Sequence, residues 1–249
     1  MCGRYVIKTT PDLMRKTFGY GENPNFPPRH NVAPTQPIPV VRIDNDRRSF
    51  ALLRWGLIPS WVKDPRGFSL LINARAETVL EKPAFRNGMR RRRCLIPADG
   101  FYEWMRDGGA DARKRPYFVG ARGPVAFAGL WEPWMGPNGE EVETACIITV
   151  PANRALRSLH DRMPAVIPPE AFGPWLDCAH VEAEAAAELL VPAPEDLFHA
   201  YEVSTAVNRT ANDSAALIEP VVAGAVGEPK PATRARARPK KNDGQASLF

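Results

Sequence analysis

At 249 residues the chain is long enough for one large domain or two small ones, and its 44% hydrophobic content is sufficient for a real core. Its four cysteines show no C-x-x-C pair and no metal spacing, and the sequence has neither a secretory leader pattern nor a membrane-length apolar run. These features argue against a disulfide scaffold, a zinc module and a membrane protein. We expect a cytoplasmic protein with free thiols, no metal and no cofactor.

The net charge of +5 is unevenly distributed. Residues 223–249 contain six basic and two acidic residues, so residues 1–222 carry only about +1. A nucleic-acid surface on the folded part must therefore be local. The change in composition predicts a single folded domain over residues 2–222, followed by a disordered basic tail over residues 223–249.

The 26 prolines favour short strands and turns over long helices. Thr10-Pro11-Asp12 predicts the start of a helix that ends at Gly19, with Thr10 as N-cap. Strands over 38–43 and 50–58 flank Asp44-Asn45-Asp46, which predicts a hairpin.

Two tryptophans lie close together at the end of the second of these strands. We expect Trp55 to belong to the core. Trp61, beside a loop, is either core or exposed, and an exposed indole could stack on a base.

The segment Asn73-Ala74-Arg75-Ala76-Glu77 follows an apolar run. If it ends a strand, Asn73, Arg75 and Glu77 share one face, which suits the wall of a site and equally a solvated edge. The run Arg90–Arg93 is either a solvated face or an extension of a phosphate-binding track.

Cys94–Ala98 predicts a strand that Asp99-Gly100 turns. Glu103 then lies among three aromatic residues. Such a carboxylate is costly unless paired, which makes Glu103 a candidate general acid or base; the alternative is a strand residue that points outward. His160, with Asp161 and Arg162 adjacent, is a second candidate, and an ordinary loop histidine is the alternative. Residues 180–190 are rich in Ala and Glu and predict a helix.

Cys2 carries the most unusual chemistry. Removal of Met1, expected because Cys is small, would leave an α-amine and a thiol on adjacent carbons. About a tenth of such an amine is unprotonated at pH 7. A 1,2-aminothiol condenses with an aldehyde to an imine, and its thiol then closes a thiazolidine ring. The alternative is that Cys2 is simply a small core residue.

Six segments, in order from residue 1, resemble the SOS response-associated peptidase (SRAP) family of abasic-site-processing proteins. They are Met1-Cys2-Gly3-Arg4, Asn31-Val32-Ala33-Pro34, Trp55-Gly56-Leu57-Ile58-Pro59, Asn73-Ala74-Arg75-Ala76-Glu77, Ala98-Asp99-Gly100-Phe101-Tyr102-Glu103-Trp104 and His160-Asp161-Arg162-Met163-Pro164. The resemblance reaches about Val222 and excludes the basic tail.

The resemblance implies an α+β fold: a β-rich single domain of curved, barrel-like antiparallel sheets with short peripheral helices. Separately, we expect a monomer. It also implies binding to single-stranded DNA at an abasic site and a covalent link to the ring-opened sugar aldehyde, as the aminothiol chemistry does.

The resemblance also implies roles for individual residues. Cys2 would supply the amine and the thiol, Glu103 would relay protons, His160 would assist opening of the sugar, and Asn73 would orient the sugar or Cys2. The residues implied to contact DNA or shape its pocket are Arg4, Pro34, Arg75, Thr149 and Arg162. Trp61 is a further DNA-binding candidate, from the stacking argument above.

Two other functions remain open from the sequence. The family name includes "peptidase", which indicates either autoprocessing, the removal of Met1 to free Cys2, or an N-terminal nucleophile hydrolase acting on other proteins, and a lyase activity is possible as well. It could also be a non-covalent reader of modified bases.

The basic tail ends in Gln245-Ala246-Ser247-Leu248-Phe249, which is similar to the Q-x-S/D-L-F peptides that bind the bacterial sliding clamp. Leu248 and Phe249 would fill an apolar pocket and Gln245 would hydrogen-bond at its rim. The alternative is an ordinary frayed terminus.

Overall fold

The computed structural model describes residues 2–106 and 114–221. Strands in these ranges are β1 (Tyr5–Ile7), β2 (Arg29–Val32), β3 (Pro37–Asp44), β4 (Arg47–Trp55), β5 (Asn73–Arg75), β6 (Arg93–Arg106), β7 (Lys114–Met135), β8 (Glu141–Pro151), β9 (Arg162–Pro164), β10 (Val166–Ile167) and β11 (Phe198–Glu202). The α-helices there are α1 (Pro11–Phe18), α2 (Arg86–Arg91), α3 (Phe172–Leu176) and α4 (Ala183–Ala187), and 3-10 helices cover Pro65–Gly67, Ala76–Thr78, Pro169–Ala171, Thr205–Asn208 and Ala215–Ile218.

Five strands close into a ring in the order β6-β7-β8-β4-β3 and back to β6. Closure leaves these strands without open edges. The predicted β-rich, barrel-like arrangement with short helices is thus confirmed. The sheet is not wholly antiparallel, because β8 runs parallel to both β4 and β5. The pairing with β5 places Asn73, the first residue of β5, beside the C-terminal part of β8.

Aromatic side chains fill the ring. Tyr5 packs edge-to-face on Trp55 and on Phe127, at centroid distances of 5.5 and 6.3 Å, and Phe101 packs on Phe127 at 6.1 Å. Such pairs contribute about 0.5–1.5 kcal/mol each beyond the burial of their area. Trp55 is fully buried, as predicted, and its indole N–H donates to the Ile72 carbonyl at 3.0 Å.

Two local predictions are confirmed. The Thr10 hydroxyl caps α1 by accepting from the Leu13 amide at 3.4 Å, and Gly19 ends the helix with φ +72°. The hairpin joins β3 to β4 through Asn45 and Asp46, with φ of +48° and +60°. Asn and Asp tolerate this left-handed region better than most residues.

The predicted turn at Asp99-Gly100 is wrong, because β6 continues through both residues with only an irregularity in register. The buried Asp99 carboxylate accepts from the amides of Lys8 and Thr9, at 2.6 and 2.8 Å, instead of starting a turn. A Cβ on Gly100 would lie 2.5 Å from the Val119 carbonyl oxygen, so glycine is needed here for the close approach of two strands.

The helix predicted over 180–190 is shorter, since α4 covers only Ala183–Ala187. The turns that follow lead to Pro192, which disfavours a helical conformation at the preceding residue. No helix in the described ranges is long and apolar enough to cross a membrane, and α1 has eight residues.

The arginine run does not form one surface. Arg90 and Arg91 are exposed, Arg92 is partly buried and donates to the buried Glu132 carboxylate at 2.6 Å, and Arg93 is 1% exposed. The Arg93 guanidinium donates to four backbone carbonyls, those of Met89, Trp175, Asp177 and Val181. The expectation of a solvated face therefore fails for Arg92 and Arg93, and Arg93 has its donors committed inside the protein.

Arg93→Met keeps a long buried side chain and removes the donors to those four carbonyls. An unsatisfied buried polar group costs about 1–3 kcal/mol, so we expect the free energy of unfolding to fall by at least about 3 kcal/mol. The matched change at an exposed neighbour, Arg91→Met, should alter the free energy of unfolding by no more than about 0.5 kcal/mol. Urea unfolding of the two variants measures this, and equal losses would contradict a structural role specific to Arg93.

Candidate active site

Cys2 lies three residues before β1. Its side chain is 1% exposed, and its thiol lies 3.7 Å from the Arg4 carbonyl, to which it donates. The Asn73 side-chain amide donates to the Cys2 carbonyl at 2.9 Å. Because Asn73 begins β5, this hydrogen bond ties the start of the chain to the strand paired with β8.

Glu103 approaches Cys2 from β6. Tyr5 pairs with Phe101, and the Tyr102 amide donates to the Arg4 carbonyl at 3.0 Å, so the register continues towards Gly3 and Glu103. Glu103 is 5% exposed, and its carboxylate accepts from the Trp104 amide at 3.4 Å. The alternative of an outward-pointing strand residue is therefore wrong.

Burial raises the pKa of the Cys2 thiol strongly, and the nearby Glu103 charge raises it further. The thiol is therefore protonated at neutral pH. A thiol in this state becomes a good nucleophile only when a neighbouring base takes its proton.

Glu103 and His160 line the same cleft, whose volume is ≈ 810 Å³. The other lining residues are Gly3, Arg4, Trp104, Met105, Lys114, Ser158 and Leu159. Two candidates that are 57 residues apart in sequence thus meet beside the start of the chain. We call this concavity the Cys2 cleft.

The His160 ring has two neighbours at one nitrogen. Its Nδ1 accepts from the Arg162 amide at 2.9 Å. The same atom lies 2.8 Å from the Asp161 carboxylate. Both contacts are made by Nδ1, so they hold the ring in place within the Cys2 cleft.

Arg162 is bound within the protein by Glu77 and Thr149. Its guanidinium pairs with both oxygens of the Glu77 carboxylate and donates to the Thr149 carbonyl. These hydrogen bonds hold the pKa of Glu77 below its usual value. The Thr149 side chain is fully buried, and its hydroxyl donates to the Ala74 carbonyl at 3.2 Å. This cluster joins β5, β8 and β9 behind Asn73.

β5 ends at Arg75, so the expected common face of Asn73, Arg75 and Glu77 does not form as one strand. Glu77 lies in the 3-10 helix that follows. Arg75 pairs with Thr149 across β5 and β8 and is exposed. Sequence reasoning placed Glu77 near the site but missed its pairing with Arg162, since no local signal links residues 85 positions apart.

Arg4 is also tied to the protein. It donates to the Asn31 side-chain oxygen at 2.8 Å and to the Val207 carbonyl at 2.9 Å. Desolvation lowers the pKa of Arg4. Asn31, which is fully buried and belongs to one of the six sequence segments, is therefore a supporting residue that sequence reasoning did not assign.

Pro34 and Trp61 are not among the residues that line the Cys2 cleft. Pro34 is half-buried. Trp61 is 59% exposed and packs edge-to-face on Phe68 at 5.7 Å, so of the two sequence alternatives the exposed one holds. Gln245, Leu248 and Phe249 lie outside the described residues. Within the described ranges, no group of three or more His, Cys, Asp or Glu residues could hold a metal ion.

Several known proteins are similar to this chain. The abasic site processing protein YoqW of Bacillus subtilis is 39% identical over 225 residues, which cover 88% of this chain and 99% of the relative. The abasic site processing protein HMCES of Xenopus tropicalis is 30% identical over 261 residues, covering 86% of this chain and 76% of the relative.

Solved structures show the same fold. A protein from Bacteroides thetaiotaomicron matches with a TM-score of 0.79 at 24% identity, over 89% of this chain and 100% of that one. A phage-related protein from Bordetella bronchiseptica matches with a TM-score of 0.66 at 32% identity, over 81% of this chain and 94% of that one. A family model described as "SOS response associated peptidase (SRAP)" matches residues 1–210. With this match and the identities above, the chain belongs to the SRAP family.

Proposed function

We propose that this protein acts as a monomer on abasic sites in single-stranded DNA and, after removal of Met1, links to them covalently through Cys2. The relatives named as abasic site processing proteins support the substrate. The observation that carries the chemistry is the fixed Cys2: Asn73 holds its carbonyl, and the buried Glu103 charge is close enough to raise the pKa of its thiol.

The reaction needs no oxidant and no cofactor. The Cys2 α-amine attacks the aldehyde carbon of the ring-opened sugar, a C–N bond forms, and loss of water gives an imine. The thiol sulfur then attacks the imine carbon, and the thiol proton moves to the nitrogen. The product is a thiazolidine, and one water molecule is released overall. Because the raised pKa of the thiol keeps it protonated, we expect the amine to react first.

Glu103 and His160 have complementary roles in this proposal. The Glu103 carboxylate takes a proton from the nitrogen of the carbinolamine, gives it to the hydroxyl that leaves as water, and later carries the thiol proton to the nitrogen. His160, in the same cleft, protonates the ring oxygen of the closed sugar so that the aldehyde forms. Asn73 orients Cys2 through its carbonyl.

The remaining residues would position the DNA strand. Arg75 is exposed next to Asn73 and can reach a phosphate directly. Arg4 and Arg162 are held by protein acceptors, so they would offer only their remaining N–H groups, in fixed directions. Trp61 would stack on a base, while Pro34 and Thr149 would shape the pocket.

We also propose that Gln245, Leu248 and Phe249 bind the bacterial sliding clamp. The support is the sequence of residues 245–249 and their distance along the chain from the domain.

Cys2→Ala keeps an N-terminal amine and removes the thiol, so it should still form an imine but no stable adduct. We expect wild type lacking Met1 to give a one-to-one adduct with an abasic oligonucleotide that survives denaturation. The variant should give an adduct only after reduction with cyanoborohydride. Intact-protein mass spectrometry measures both.

No wild-type adduct despite a free Cys2 would overturn the proposed chemistry. Turnover of a peptide substrate would then favour the hydrolase, and DNA binding unchanged by Cys2→Ala would favour the non-covalent reader.

Glu103→Gln removes the proton carrier and keeps the shape of the side chain. We expect the rate of stable-adduct formation to fall by about 10²-fold, the usual contribution of a positioned acid or base. Glu132→Gln is the matched control, because Glu132 is an equally buried strand carboxylate outside the Cys2 cleft. Single-turnover kinetics on fully folded protein compare the two, and equal slowing would remove Glu103 from the proposed role.

Replacing Gln245, Leu248 and Phe249 together with Ala should abolish binding to the sliding clamp and leave adduct formation unchanged. The neighbouring double change Asn242→Ala/Asp243→Ala should have no effect on either. Surface plasmon resonance with immobilised clamp measures the first property, and clamp binding that survives the triple change would refute the proposal.

A further inference from the structure

A second concavity shares no lining residue with the Cys2 cleft. It is an apolar groove of ≈ 460 Å³ between β10, α3 and the segment 191–197. Its walls include Pro124, Ile167, Phe172, Val191 and Leu197, and Val191 is 56% exposed. An exposed apolar concavity of this kind commonly marks a binding surface.

One side of the groove is formed by an acidic stretch of the chain. Residues 163–200 contain seven Asp or Glu residues and no Lys or Arg. Glu170 lines the groove, and Glu188 and Asp196 lie close in sequence to Val191 and Leu197; all three are exposed. None of these three carboxylates forms an ion pair with another residue in the described part of the chain. We call this concavity the acidic-rimmed groove.

The charge of the rim selects the kind of ligand. Unpaired carboxylates repel a DNA phosphate backbone, so the groove is unsuited to nucleic acid. A complementary ligand places apolar side chains in the groove and cationic side chains on its rim.

The basic tail has this composition. It contains Lys230, Arg234, Arg236, Arg238, Lys240 and Lys241 against two acidic residues, and its last two residues are Leu248 and Phe249. Opposite charges on the two surfaces attract over a Debye length of about 8 Å at physiological salt.

The tail begins within reach of the groove. The Val221 amide donates to the Glu202 carbonyl at 3.0 Å, at one end of β11, and Leu197 precedes the other end of that strand. Five residues of strand span about 17 Å. The sequence has 28 residues after Val221, and a random-coil chain of that length has a root-mean-square length of about 30 Å. This length is sufficient to span the distance from Val221 to the groove. The effective concentration of the tail at the groove is then about 1 mM.

We propose that the acidic-rimmed groove binds the basic tail of the same chain. Leu248 and Phe249 occupy the apolar groove, and the basic side chains of residues 230–241 lie along the carboxylates of the rim. The tail then has two exclusive positions. Bound to the groove, it is withheld from DNA phosphates and from any partner that binds Leu248 and Phe249; released, it is available to both.

Hydrogen exchange on the full chain tests this directly. An effective concentration of about 1 mM fills a site with a dissociation constant of about 0.1 mM to roughly 90%, which slows exchange of covered amides about tenfold. We expect amides in peptides covering 163–172 and 188–198 to exchange about tenfold more slowly in wild type than in the double variant Leu248→Ser/Phe249→Ser. Arg234→Glu/Arg236→Glu/Arg238→Glu should lose the slowing too.

A charge swap supplies the matched control. Glu170→Lys/Glu188→Lys alone should lose the slowing and regain it when combined with the three arginine-to-glutamate changes. The hairpin of β3 and β4 should exchange identically in all variants. Equal exchange at the groove in wild type and in both tail variants would overturn the proposal. So would slowing that grows with protein concentration, because the tail would then bind a second copy.

Discussion

The hydrogen bond from Asn73 to the Cys2 carbonyl joins the two halves of the candidate site. On one side, the segment before β1 carries Cys2 and β6 carries Glu103; on the other, β5, β8 and β9 carry Asn73, Thr149 and Arg162. Asn73 reaches Cys2 only because β5 runs parallel to β8, and β8 is a member of the closed ring. The position of Cys2 thus depends on the architecture of the whole barrel, although no strand of the ring contains it.

Burial has two opposite effects on the reactivity of the Cys2 thiol. It keeps the thiol protonated through a raised pKa, which protects the thiol from reagents that need a thiolate. The same burial brings the thiol near the Glu103 charge, so a base is at hand once an imine has formed. A low resting reactivity and a fast second step are compatible because the imine, and not the free aldehyde, is what the sulfur attacks.

Sequence reasoning found the residues with distinctive chemistry and missed the partners that fix them. Glu103 and His160 were recognisable because a carboxylate among aromatics and a histidine beside charged residues are local signals. The acceptors of Arg4 and Arg162 were not, because Val207 and Glu77 are 203 and 85 residues away. Arg93 was misread for the same reason, since four backbone carbonyls brought together by the fold decide its role. Asp99 looked like a turn residue because its acceptor role towards Lys8 and Thr9 is also non-local.

The bond from Arg4 to Val207 has a consequence during synthesis. At about 5–20 residues per second, a ribosome needs roughly 10–40 s to extend the chain from the first partner to the second. Until then the start of the chain lacks this anchor, and afterwards Cys2 is 1% exposed. If Met1 is removed as proposed, the start of the chain is therefore most accessible on the nascent chain, before the barrel closes. The order of processing and folding would then be set by the sequence distance between two hydrogen-bonded residues.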